Sequence, residues 1–109
     1  MPVKITVSGE VVTAFLDGEI DHHTASVIRN EIDAAVEKNI PTLLVLDFRD
    51  VTFMDSSGIG FVMGRYRLVN AYGGKIQVVN LTERVFKMMK LAGLDKLVEL
   101  HKKTEKGIL

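Results

Sequence analysis

Two adjacent serines behind an aspartate, in the run Phe53-Met54-Asp55-Ser56-Ser57-Gly58-Ile59-Gly60, are the residues of this chain best placed to do chemistry. A serine hydroxyl can attack an electrophile, accept a phosphoryl group or cap a helix, and its neighbours decide which. A hydrolase elbow wants glycine two residues before the serine, but Met54 precedes Ser56 and Asp55 precedes Ser57 at that spacing. A phosphate-cradling loop wants Gly-x-x-x-x-Gly-Lys followed by Ser or Thr. The segment Gly73-Gly74-Lys75-Ile76 has neither the upstream glycine nor the hydroxyl. Aspartate and serine are favoured helix caps, so capping is the plainest role for Asp55, Ser56 and Ser57. The regulatory role is phosphorylation. A helix N-terminus, with unpaired amides and a positive dipole end, suits phosphate, so the fold tolerates a phosphoserine that presents new charge to a docking protein.

Two other groups of residues compete for attention. Asp17, Glu19, Asp21, His22 and His23 crowd one segment, but they lack a recognised metal-ligand spacing and read as a solvated loop. Asp47 lies near the end of an apolar run, where a receiver-like domain would carry a phosphate-accepting aspartate. A receiver also needs an adjacent acidic pair for magnesium and a late lysine, and neither is found at a comparable place. No cofactor and no metal is expected.

The elements that must position these residues follow from periodicity. Residues 3–7 alternate apolar and polar, and Val11 to Leu16 is rich in β-formers, so an N-terminal hairpin is expected. Asp17 to Asp21 reads as a flexible loop ending in a cap. Ala25, Ile28, Ile32, Ala35 and Val36 stripe a helix from His22 or His23 to Lys38. Thr42 to Phe48, with Leu43-Leu44-Val45-Leu46 unbroken, reads as a strand covered on both faces. A second helix is predicted from Ser56 or Ser57 to Ala71, burying Ile59, Val62, Met63, Tyr66 and Val69, and Gly73-Gly74 ends it. Lys75 to Asn80 is a strand. Thr82 caps a third helix through Ala92, with Val85, Phe86 and Met89 inside and Met88 out of phase, free to join a partner surface. Leu97 to Leu100 is a last short strand, and His101 to Leu109 a weakly patterned tail. The order ββαβαβαβ predicts one α/β domain over 1–109, with a mixed, largely parallel sheet. Sites in such sheets form at the carboxyl ends of the strands, where the segments Asp17–His23 and Asp47–Gly58 meet.

Composition narrows the function classes. Of 109 residues, 14 are Lys or Arg and 14 Asp or Glu, a formal net charge of zero. No long-range field then draws the protein to nucleic acid or to an anionic membrane. The 47% hydrophobic content is enough for a core. The chain has no cysteine, which rules out disulfides and thiol chemistry. No apolar run approaches the roughly 20 residues a bilayer requires, and Met1-Pro2-Val3-Lys4 lacks the design of a signal peptide. A cytoplasmic location is expected.

Taken together, Gly18-Glu19-Ile20-Asp21-His22-His23-Thr24-Ala25, Phe53 through Gly60, and Gly64-Arg65-Tyr66 resemble the bacterial anti-anti-sigma factors of the STAS family, particularly its sporulation members. The likeness runs from about Gly9 to Leu100 in consistent order. It implies a STAS fold and a partner-switching role without catalysis. The unphosphorylated protein would bind an anti-sigma factor that is also a serine kinase, releasing a sigma factor. The kinase would inactivate it by phosphorylating the first serine after the aspartate, Ser56, and a PP2C-type serine phosphatase would restore it. Ser57 is the rival acceptor. Glu19, Asp21, His22, Met54, Asp55, Ser56, Ser57, Ile59 and Gly60 would form the partner-binding edge. A STAS interaction module that is never phosphorylated is the remaining alternative within the family.

Overall fold

The computed structural model describes residues 3–104. The elements run β1 (Val3–Ser8), β2 (Val11–Ile20), α1 (His22–Asn39), β3 (Leu43–Met54), α2 (Ser57–Ala71), β4 (Lys75–Leu81), α3 (Glu83–Leu91), a 3-10 turn (Leu94–Lys96) and β5 (Glu99–Lys102). This is the predicted ββαβαβαβ order. The expected last strand begins two residues later because Leu94–Lys96 turns first. Of the tail, His101 and Lys102 belong to β5; residues 105–109 lie outside the described part.

The sheet order is β1-β2-β3-β4-β5, with β1 antiparallel to β2 and all later pairs parallel. Each crossover therefore steps to the next strand in the same direction. Right-handed crossovers that all advance one way put every helix on one face. Burial agrees. Val12, Ala14, Leu16, Leu44, Leu46, Ile76 and Val78 are closed off, whereas Val11, Thr13, Leu43, Val45 and Gln77 on the opposite face are only half-buried. The expectation that Leu43–Leu46 is covered on both faces is thus corrected: helices cover one side only, and Phe15 on the other is 39% exposed.

Between sheet and helices lies the core. Ile28, Ile32 and Val36 of α1 follow the predicted stripe, with Ala25 and Ala35 packed beside them. Fully burying an aliphatic side chain of this size contributes about 1.5–3 kcal/mol. In α2 the buried line is Gly58, Phe61, Val62, Arg65 and Val69, rotated from the predicted one; Ile59, Met63 and Tyr66 flank it, half-buried. Gly58 lies on that line, and a Cβ there would overlap Met54 Cγ and Sδ, so glycine lets α2 start this close to β3 without displacing Met54.

β2 and β3 run further than the sequence suggests. Asp17 to Ile20 continue β2 and Asp50 to Met54 continue β3, paired through Asp17↔Asp50, Gly18↔Val51, Glu19↔Phe53 and Ile20↔Met54. Two register irregularities interrupt the pairing, each with one more residue on β3 than on β2, and Gly18 beside the second has φ +87°. The expected loops are therefore a paired two-strand tongue that carries the starts of α1 and α2 together.

Candidate functional site

The site is built where β2 and β3 end. Asp21 and the pair Asp55-Ser56 connect the strands to α1 and α2, and Asp55 N–H donates to Ile20 O at 3.2 Å, locking the two connections together. Asp21 caps α1. Its Oδ1 accepts from His23 N–H (2.9 Å) and Thr24 N–H (3.0 Å), while Thr24 Oγ1 accepts from Asp21 N–H, a reciprocal capping box. The bond from Thr24 N–H, aided by that from His23, holds the Asp21 carboxyl below its ordinary range against partial desolvation.

At α2 the capping role falls on Asp55 rather than on Ser56. Asp55 Oδ1 accepts from Ser57 N–H at 2.9 Å and from the Ser57 hydroxyl. Ser57 is half-buried and its proton is committed to that carboxylate. Ser56 occupies the N-cap position, is exposed, and makes no side-chain cap bond. The two serines, equivalent in sequence, are sharply different in space.

The other predicted edge residues divide the same way. Glu19, His22 and Gly60 are exposed, and a Cβ on Gly60 would meet nothing within 4 Å. Asp55 and Ile59 are half-buried. Met54, expected among the contact residues, is a correction: it is fully buried beneath Gly58, because it is the last strand residue facing the helices. Met88 is half-buried against the core. Asp47 does not stand at a strand end; it is 8% exposed, and its Oδ1 accepts from Arg49 N–H and Asn80 Nδ2, each at 2.9 Å. This carboxylate ties β3 to β4 and is poorly open to phosphate. Among the described residues, no three His, Cys, Asp or Glu side chains gather as metal ligands, and no helix is long and apolar enough to cross a membrane.

Beside the serines runs a groove of about 250 Å³ between α1 and α2, lined by His22, Ala25, Ser26, Arg29, Ser57, Gly60, Phe61, Gly64 and Arg65. Its floor holds an ion pair that sequence reading missed. Arg65, 6% exposed, meets Asp33 of α1: Nε lies 2.7 Å from Oδ1 as an ion contact, and Nη2 donates to Oδ2 at 3.2 Å in the aligned hydrogen bond. Burial draws the Arg65 guanidinium below the usual arginine range, and the Asp33 carboxylate opposes this. The only signal in sequence was the phase of Arg65, three and four residues from Val62 and Phe61 on the buried line. Arg84 of α3 was missed too. Its Nη1 donates to Met54 O at 3.3 Å, and its guanidinium lies 5.7 Å from the Phe53 ring centroid.

Residues 2–107 match the STAS domain. An anti-sigma F factor antagonist of Paenibacillus polymyxa is 35% identical over 91 residues, covering 84% of this chain and 78% of that protein. An anti-sigma-B factor antagonist of Bacillus subtilis (strain 168) is 32% identical over 91 residues, covering 84% and 82%. Among solved structures, the anti-sigma factor antagonist SpoIIAA in its unphosphorylated form superposes with a TM-score of 0.79 at 33% identity, covering 96% of this chain and 90% of that one. The Bacillus cell fate determinant SpoIIAA in the phosphorylated form gives 0.74 at 32% identity, covering 96% and 94%.

Proposed function

The chain belongs to the STAS domain family, and we propose that it acts there as an anti-anti-sigma factor controlled by phosphorylation of Ser56. Unphosphorylated, it binds an anti-sigma factor with serine kinase activity and so frees a sigma factor. The observation that carries this reading is the exposed, uncommitted Ser56 hydroxyl beside a Ser57 whose proton is held by Asp55. Relatives named as anti-sigma factor antagonists, and a structural neighbour known in phosphorylated and unphosphorylated forms, support it.

In this cycle the chain is substrate rather than catalyst. Ser56 Oγ forms a bond to the γ-phosphorus of ATP as the bond to the β,γ-bridging oxygen breaks; ADP leaves and the hydroxyl proton is lost to a base. A PP2C-type serine phosphatase reverses this by adding water to phosphorus and returning the hydroxyl. The phosphate brings about −1.5 to −2 charges, and like charge pressed into an interface costs several kcal/mol. Emptying a complex from 99:1 to 1:99 needs about 5.5 kcal/mol, within reach of one phosphate. The docking edge comprises Glu19, Asp21, His22, Asp55, Ser56, Ser57, Ile59 and Gly60, with Met54 supporting it from beneath.

The test is intact-mass analysis after incubation with the partner kinase and ATP. Wild type gains one phosphate and Ser56→Ala gains none, while Ser56→Ala still binds the partner by calorimetry. A full phosphate on Ser56→Ala moves the site to Ser57 and sinks the reading. A pull-down from the cell of origin, with and without ATP, identifies whether the released sigma factor is of the sporulation or the stress-response class.

A further inference from the structure

The sequence leads one to expect free amides at the start of α2 to suit a phosphate on Ser56, but Ser57 N–H and Gly58 N–H are taken by Asp55. The Asp55 carboxylate already takes the Ser57 amide and hydroxyl at the start of α2. A phosphoryl group on Ser56 therefore arrives beside a carboxylate, with Glu19 exposed on the neighbouring strand. It needs a cation of its own.

Arg84 is placed to supply one. It is exposed near the start of α3, and Nη1 donates to the carbonyl of Met54, two residues before Ser56. The guanidinium rests on the half-exposed ring of Phe53 at 5.7 Å. A guanidinium has five N–H donors, and one bond to a neutral carbonyl is weaker than a two-pronged pair with phosphate. Of the other cations nearby, Arg65 is engaged by Asp33 and, with Arg29, lines the groove between α1 and α2. His22 and His23 lie on α1, exposed and edge-to-face at 5.8 Å.

We propose that Arg84 is the internal receptor for phosphate on Ser56, leaving the Met54 carbonyl to pair with the phosphoryl oxygens. This rests on the reading of Ser56 as the modified residue, and it says how the inactive form is held. The phosphate is drawn toward α3, it stays dianionic at neutral pH, and the docking edge is fixed in one shape rather than merely recharged.

Phosphoserine inserted at position 56 during translation of the full chain tests this without any kinase. Phosphorus NMR then follows the second phosphate ionisation in wild type and in Arg84→Gln. The wild-type value is expected to lie about half a unit lower, a threefold change in proton affinity, with Arg84→Lys between them. Coincident titration curves overturn the proposal. A second readout needs no substitution: the Arg84 Nε–H resonance shifts between the unmodified and phosphoserine-bearing proteins, and an unmoved resonance overturns the proposal equally. Failure of the functional reading looks different, as an unphosphorylated Ser56 in the kinase assay while the pairing remains measurable.

Discussion

The two ends of the parallel sheet are closed by different means. At the amino ends of the strands the backbone does the closing. Thr42 N–H reaches Glu10 O, Lys75 N–H reaches Thr42 O and Gly74 N–H reaches Val69 O, each at 2.9 Å. At the carboxyl ends the backbone bond from Asp55 N–H to Ile20 O is joined by side-chain bonds: Asp21 on α1, Asp55 on Ser57, and Arg84 on the Met54 carbonyl. A backbone closure cannot exchange partners without unfolding its element. A side-chain closure can do so by changing rotamer. The contrast says why the proposed modification suits the carboxyl end: its side-chain bonds can be redrawn while the sheet stays intact.

The largest expected effect on folding comes from the closed end. A Cβ on Gly74 would sit 2.7 Å from Pro41 O and 2.8 Å from Val69 Cγ1, and a backbone oxygen in a strand connection has nowhere to go. Gly74→Ala should lose about 2–3 kcal/mol, the upper part of the range for overpacking, read from urea denaturation. The folded fraction should still accept phosphate on Ser56 at the wild-type rate. A cost near zero, or a change in phosphorylation of the folded protein, would break the division between the ends.

That division was only partly legible in the sequence. Element order and type were, because helical stripes such as Ile28-Ile32-Val36 and the glycine stops are local signals. The tongue formed by Asp17–Ile20 and Asp50–Met54 was not: polar, glycine-bearing residues read as loop, and only their mutual pairing makes them strands. The one-sided covering of Leu43–Leu46 was equally hidden, since it follows from strand order, not from the run itself. At the site, the motif marked Asp55, Ser56 and Ser57 together, but which serine is tied and which is free depends on one carboxylate's direction. Met54 looked like its neighbours and proved to be core. The Arg65–Asp33 and Arg84–Met54 contacts join residues 32 and 30 positions apart, beyond any local pattern.

A smaller effect probes the open end directly. Asp55→Ala removes the cap on α2, a loss of about 1 kcal/mol, and frees the Ser57 hydroxyl. If commitment of that proton is what separates the two serines, the variant should carry phosphate on both positions after kinase treatment. Tandem mass spectrometry of the tryptic peptide counts each. Asp55→Asn, which keeps an oxygen acceptor, should retain the preference for Ser56. Phosphate confined to Ser56 in Asp55→Ala would mean that the kinase selects by position and not by the hydroxyl's freedom.

The smallest effect separates the ends by pH. Asp21 is held below the ordinary carboxylate range chiefly by the Thr24 N–H. Its folded state thus binds protons less readily than its unfolded state, so its stabilisation is fully present above about pH 4, the unfolded value. It fades as pH falls through the depressed folded value. Asp21→Asn should therefore be less stable than wild type by a constant amount near neutrality, and the gap should narrow on acidification below about pH 4. Urea midpoints for both proteins across that range measure it. The penalty of Gly74→Ala is steric, between a methyl group and a backbone oxygen, so it should stay level over the same pH interval. A gap for Asp21→Asn that stays equally level would mean that its charge adds nothing to the capping box, leaving the open end as insensitive to protons as the closed one.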